Sequence, residues 1–264
     1  MGVNITYIYH SCFVVENDEI MLVYDYWKDT PDQQLHHLLD TTDKQVYFIV
    51  SHFHEDHYNP EVIEWYAKNP SEKEHRQPRL LLSYDTVKRR RVNKQLPTCI
   101  MRFDEFYEDE FLKVTFYHST DVGVSTVTEL ADGTTLYHAG DNNNWYFADN
   151  NDQVKVSNEE MEGIFLAVAR DIRKRYSAID YVFFPVDPRL EGQMLRGPQQ
   201  WLFNVESHHF YPMHYWDDAT SVEQGLAILE EMFPRTTFHY PPHSDQQTAS
   251  QFLNSCTTPS PTNN

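Results

Sequence analysis

The stretch Val46-Tyr47-Phe48-Ile49-Val50-Ser51-His52-Phe53-His54-Glu55-Asp56-His57 decides how this chain is read. Its first five residues are β-branched or aromatic and predict a buried strand. The strand stops at a loop carrying three histidines and two acids. A strand end holds such a loop rigid and points its side chains at one place. Alternate side chains of an extended segment share a face, so His52 and His54 are spaced to grip one metal ion. Asp56 and His57 follow a turn and can reach a second ion beside the first. Imidazole and carboxylate donors suit zinc, manganese or iron. The plain alternative is a polar loop of histidines bonded to one another, and the two-residue spacing speaks against it.

Working outward, residues 3–9 alternate apolar and polar as a half-buried strand does. Residues 12–16 and 19–24 read as two more strands around an Asn17-Asp18 turn. His10-Ser11 separates the first pair. Asp25 closes the third strand, either bracing a metal shell from behind or simply ending the strand. Residues 31–39 suggest a short helix. Asn59 and Pro60 start another, as cap and first position, with Val62, Ile63, Trp65 and Tyr66 on its apolar face. Strands follow at 80–82 and 98–103. Between them lies Lys88-Arg89-Arg90-Arg91, the one basic run, either a solvated helix face or a clamp for a substrate phosphate or carboxylate.

Further strands are expected at 112–117, 122–130 and 134–137, the last two joined by the Asp132-Gly133 turn. Residues 158–176 form the clearest helix, with Met161, Ile164, Phe165, Val168 and Ile172 as a core stripe. A buried strand at 180–185, a helix at 198–207, a strand at 210–213 and a helix at 221–233 capped by Ser221 complete the pattern. The succession predicts an α+β fold of two packed sheets with helices outside, formed by one domain over 1–253. Residues 254–264, rich in Ser, Thr, Pro and Asn, are expected to be a disordered tail.

Lys and Arg number 21 against 40 Asp and Glu, a net charge of −19. Such a surface repels a phosphate backbone, so nucleic acid is not an expected partner. Three scattered cysteines, Cys12, Cys99 and Cys256, fit a reducing cytosol better than a disulfide framework. No signal peptide is expected from residues 1–9, and no run approaches the roughly 20 apolar residues of a membrane span. The expected setting is cytoplasmic, without a membrane partner.

The H-x-H-x-D-H pattern of His52, His54, Asp56 and His57 resembles the signature of the metallo-β-lactamase-fold hydrolases. The resemblance implies a four-layer αβ/βα sandwich and a site for two divalent cations, zinc first, manganese or iron(II) as alternatives. In His138-Ala139-Gly140-Asp141 it makes Asp141 the carboxylate between both ions, suited to neutralise charge on each. It makes His214, in Pro212-Met213-His214, the last ligand of the second ion. A third histidine for the first ion is expected at a strand end. His118 is preferred there because it keeps the ligands neutral and zinc-like, with Asp121 as the alternative. His138 is expected to orient Asp141 by hydrogen bonding. His10, which resembles an N-terminal motif of the ascorbate-phosphate-lactonase-like branch, is expected to stand behind the ligands or to be merely structural.

The implied chemistry is hydrolysis of an ester, lactone or phosphodiester bond of a small molecule, with an anion as one candidate, by water acidified at the cations. Asp56 and Asp141 are the candidate catalytic carboxylates, and Asp56 is a candidate proton relay. Trp145 and Arg189 are candidate substrate contacts, from their closeness to strand ends. The competing expectations are an oxidoreductase using a single iron on the same scaffold and a metal-binding module without catalysis.

Overall fold

A computed structural model describes residues 2–67, 77–147, 152–242 and 251–252. Both halves of the chain are built alike. Antiparallel β1 (Asn4–Tyr9), β2 (Cys12–Glu16) and β3 (Ile20–Tyr24) lead through α1 (Gln34–Thr41) to β4 (Gln45–Val50). Helix α2 (Glu61–Ala67) precedes β5 (Arg79–Ser83), and α3 (Tyr84–Arg89) precedes β6 (Cys99–Met101). Strands β3 to β6 are parallel. The second half repeats the plan. Antiparallel β7 (Phe106–Glu108), β8 (Leu112–Tyr117), β9 (Ser125–Leu130) and β10 (Thr135–His138) come first. Then α4 (Asp152–Arg175), β11 (Ala178–Pro185), α5 (Arg196–Asn204), β12 (Glu206–Met213), α6 (Ala219–Met232) and β13 (Thr237–Phe238) follow. Strands β10 to β13 are parallel. A short β14 (Gln251–Phe252) pairs with β1.

The sheet orders are β14-β1-β2-β3-β4-β5-β6 and β13-β12-β11-β10-β9-β8-β7. Period-two patterning explains why the first sheet is covered on both faces. Phe13, Val15, Leu22, Tyr24, Tyr47, Ile49 and Leu81 join the core shared with the second sheet. Their neighbours Val14, Val23, Phe48, Val50 and Leu82 pack with Leu35, Val62, Trp65 and Val87 of α1, α2 and α3. Strands buried on both faces read as unbroken apolar runs, as 46–50 does. The outer face of the second sheet is covered by Phe165 and Ile172 of α4, Trp201 of α5, and Val222 and Leu226 of α6. The result is the expected four-layer α+β sandwich.

Differences from the expected elements have local causes. Helix α6 is capped by Asp218, whose Oδ1 accepts from Ser221 N–H at 3.0 Å, so Ser221 lies inside the first turn. Helix α4 starts at Asp152, six residues before the expected Asn158. Phe165, Val168, Ala169 and Ile172 are its buried face, whereas Ile164 is 44% exposed. Strand β7 is missed by patterning because Phe106 and Glu108 both face solvent. Asn59 does cap α2, accepting from Glu61 N–H at 2.9 Å. Cys12 and Cys99 are free thiols. The expected tail 254–264, with Cys256, lies outside the described residues. Among those described, no helix is long and apolar enough to cross a membrane.

Candidate metal centre

Strand β4 hands the chain to the histidine loop through Ser51. Ser51 N–H donates to Asp25 Oδ1 at 2.7 Å, and its hydroxyl donates to Oδ2 at 2.6 Å. Asp25 closes β3 in a left-handed conformation, φ 42°. With its hydroxyl proton committed, Ser51 Oγ accepts from His52 Nδ1 at 2.9 Å. His57 Nδ1 donates to Asp25 Oδ2 at 2.8 Å. His214, at the end of β12 with φ 61°, donates from Nδ1 to Asp187 Oδ2 at 2.8 Å. In each ring the outer partner assigns the proton to Nδ1 and leaves the Nε2 lone pair pointing inward, as metal-ligating histidines require.

Those lone pairs converge on Asp141, which follows β10. His57 Nε2 is 3.1 Å and His214 Nε2 3.4 Å from Asp141 Oδ1, while His52 Nε2 is 3.3 Å from Oδ2. One carboxylate therefore turns an oxygen toward each of two groups. His52, His54, Asp121 and Asp141 form one set of converging donors, His10, Asp56, His57 and His214 form a second, and Asp25 gathers with His52 and His57 behind both. Among the described residues, His10, His52 and His57 Nε2 and Asp141 Oδ1 are buried without hydrogen-bond partners. Buried polar atoms are normally paired, so orphans of this kind, aimed at one point, fit divalent cations.

Electrostatics agree. Burial would raise the carboxyl of Asp141, but His57, His214 and His52 outweigh it and hold it well below the usual range. Asp56 is likewise held low against burial, by His10 and His57. Burial pulls His57 down, yet Asp141 and Asp25 hold it well above the usual imidazole range.

His118 is not among the donors. It is exposed and stacks on Phe103 with ring centroids 3.9 Å apart. The backbone after β8 carries its ring outward, and its carbonyl accepts from Ser125 Oγ at 3.0 Å. Asp121 reaches inward instead, its Oδ2 3.5 Å from His54 Nδ1. The preference for His118 is corrected accordingly. We expect Asp121→Ala, like His54→Ala, to lose about one equivalent of bound metal, whereas His118→Ala keeps both metal and turnover within about twofold. Elemental analysis of the purified variants checks this, and metal loss in His118→Ala alone would reverse the assignment.

The other expectations also find places. His138 does not touch the Asp141 side chain: its Nε2 donates to Ser11 O at 2.9 Å, and Nδ1 accepts from Gly140 N–H at 3.2 Å. It fixes the turn that presents Asp141. Burial lowers its proton affinity, in keeping with a neutral ring. His10 stands among the donors rather than behind them, Nε2 3.3 Å from Asp56 Oδ2. Trp145 Nε1–H donates to Asp141 O at 2.8 Å. Arg189 is bound to Asp187. Arg90, from the basic run, donates to Phe53 O at 2.8 Å and so steadies the histidine loop rather than facing the site. Asp187 was missed, although it ends β11 much as Asp25 ends β3. A strand-end acid followed by proline was the available signal.

Gly123 lies where two loops nearly touch. Its φ is +76°, and a Cβ there would fall 2.1 Å from Ser51 O and 2.5 Å from His52 Cβ. Gly123→Ala is expected to destabilise the protein by about 3 kcal/mol or more, from left-handed strain plus overpacking. Thermal unfolding against wild type tests this, and an unchanged midpoint would remove the steric argument.

A cleft of about 340 Å³ opens over the donors, lined by His54, Asp56, Thr120, Asp121, Asp141, Trp145, Phe147, Met161, Arg189 and His214. Met161 thus belongs to the cleft and not to the core stripe.

Residues 4–190 match the model of a beta-lactamase superfamily domain. The chain belongs to the beta-lactamase superfamily. A search of curated proteins finds no match. Igni18, a metallo hydrolase from Ignicoccus hospitalis, is similar in structure at TM-score 0.61 and 18% identity, over 90% of this chain and 94% of that one. CmlA, a diiron β-hydroxylase from Streptomyces venezuelae, superposes at TM-score 0.59 and 12% identity, over 91% of this chain and 53% of its own. A possible metal-dependent hydrolase from Veillonella parvula gives TM-score 0.54 at 12% identity, over 90% of this chain and 96% of that one. At these identities the structures speak for the fold. This superfamily member therefore has the metallo-β-lactamase architecture, with its donor clusters at the strand ends where open α/β sheets bind ligands.

Proposed function

We propose that this protein is a metal-dependent hydrolase acting on an ester, lactone or phosphodiester bond of a small anionic molecule. The carrying observation is the set of inward Nε2 lone pairs on His52, His57 and His214, each fixed from behind and each facing Asp141. His52, His54, Asp121 and Asp141 would hold one cation, and Asp56, His57 and His214 the other. When bound, such cations polarise the scissile bond and acidify water. Asp121 makes the first group oxygen-rich, which favours manganese or iron(II) over the zinc expected with His118.

The remaining residues bind and orient. Thr120 donates to Asp141 O at 3.2 Å and, with Trp145, fixes the peptide that carries the carboxylate. Asp56 holds protons weakly, which favours its use as a ligand over the proton-relay role. Trp145, Phe147 and Met161 give the cleft an apolar wall, and Arg189 gives it a cation. The Arg189 side chain is 58% exposed and lies over the Trp216 ring. That combination suits an anion carrying an apolar body. Arg189→Met should raise KM for an anionic substrate about tenfold with little change in kcat. Equal KM in both proteins would take Arg189 out of substrate binding.

The deciding experiment is elemental analysis of protein purified without added metal, joined to a screen of phosphodiesters, thioesters, esters and lactones. Metal-dependent turnover supports the reading, and metal binding without any turnover leaves a binding module. One observation favours a second reading, an iron-dependent oxidoreductase. His52, His54 and Asp121 form a two-histidine, one-carboxylate set, the donor type of non-haem iron oxygenases, and the structurally similar CmlA is a diiron β-hydroxylase. Bound iron with oxygen uptake would select it.

A further inference from the structure

We propose that His10 is a ligand of the second cation, reaching it from the buried side of the site. The assignment rests on the two-cation reading above and adds to it a donor outside the histidine signature. His10 occupies the turn between β1 and β2 at φ 56°, a conformation unusual for a residue other than glycine. The turn is held from three sides. His10 N–H donates to Tyr7 Oη at 2.8 Å, and His10 O accepts from His214 N–H at 3.2 Å. His138 holds the next carbonyl, Ser11 O. Strain kept in place by this many bonds points to a purpose for the side chain.

The ring is 0% exposed, its Nδ1 has no hydrogen-bond partner among the described residues, and its Nε2 faces Asp56 Oδ2 at 3.3 Å, itself one of the converging donors. A histidine retained for packing satisfies at least its N–H. The ring is walled by Trp27 and Trp216, with centroids 5.5 and 4.7 Å away. It stands 4.3 Å from the His214 ring and 5.8 Å from the His57 ring. Its Nε2 falls within one donor group with Asp56, His57 and His214. His10 does not line the cleft, whereas His214 and Asp56 do.

This makes the two groups unequal. The second holds three imidazoles and a carboxylate, with His10, His57 and His214 almost wholly buried. The first pairs two imidazoles with two carboxylates, and His54 and Asp121 are each 39% exposed. The more buried second group would therefore hold its cation the more tightly, while the more exposed first group would face the cleft from which substrate enters.

Cobalt(II) is the probe, added to metal-depleted full-length protein. His10→Cys should gain an intense near-ultraviolet sulfur-to-cobalt charge-transfer band that wild type, with its own cysteines, lacks. His10→Gln should bind its tighter cobalt ion at least about tenfold more weakly in chelator competition. Thermal unfolding of the metal-free variants reports whether each is folded. Cobalt bound by folded His10→Cys without the band, or unchanged affinity in folded His10→Gln, overturns the assignment. A wild type that binds no cobalt overturns it together with the proposed function. A band in His10→Cys alongside a wild type that hydrolyses nothing would keep His10 as ligand and discard the hydrolase.

Discussion

Asp141→Asn is expected to cut turnover of any substrate of the wild type by at least about a thousandfold and to leave about one bound metal ion or fewer. Asp141 Oδ1 faces His57 and His214, and Oδ2 faces His52. An amide is nearly the same shape but offers a single acceptor oxygen and no charge. One donor group then loses its anion, while the NH2 points a proton at lone pairs meant for a cation. The fold should persist, because Asp141 sits in a turn held by its own backbone, through Trp145 Nε1 and Thr120 Oγ1 on its carbonyl. Metal analysis, steady-state kinetics and circular dichroism on the same preparation check all three statements. Full metal content with wild-type turnover would overturn the proposed place of Asp141 between two cations.

Returning metal to metal-depleted protein should raise the unfolding midpoint by about 8–16 °C. A ligand that binds only the folded state at a thousand times its Kd contributes about 4 kcal/mol, and each kcal/mol shifts a chain of this size by about 2–4 °C. The effect should be this large because the donors are already assembled. Asp25 and Asp187 hold His57 and His214 in place before any ion arrives, so little binding energy goes into ordering the site. Without ions, His10, His52 and His57 keep buried unpaired nitrogens. Differential scanning with zinc, manganese and iron(II) in turn also ranks the metals. A midpoint indifferent to all three would argue that the lone pairs serve another purpose.

The layered architecture was legible because both causes of it are local. Strand 46–50 reads as buried on two faces since every residue is apolar, and Asn59 announces α2 since its side chain caps the very next turn. His52, His54, Asp56 and His57 could be named for the same reason: seven residues at a strand end set their own spacing. Asp141 and His214 depend on distant parts of the chain, and only the order of motifs in a recognised family pointed to them. Periodicity put Met161 in the core stripe of α4, yet it faces the cleft, because a helix face does not declare what lies across from it.

The sequence by itself determined the fold and the chemical character of the site, imidazole and carboxylate at strand ends, because burial patterning and the H-x-H-x-D-H spacing act over a few residues. Tertiary structure alone decided between His118 and Asp121. Both lie on the same loop, and Phe103 from another part of the chain takes the imidazole away, while the carboxylate meets His54. It alone brought His10 beside His214 across most of the chain's length, and set Asp187, from just beyond β11, behind that ring. Which side chains converge on a point is set by how two sheets stack, and no short-range pattern encodes that distance.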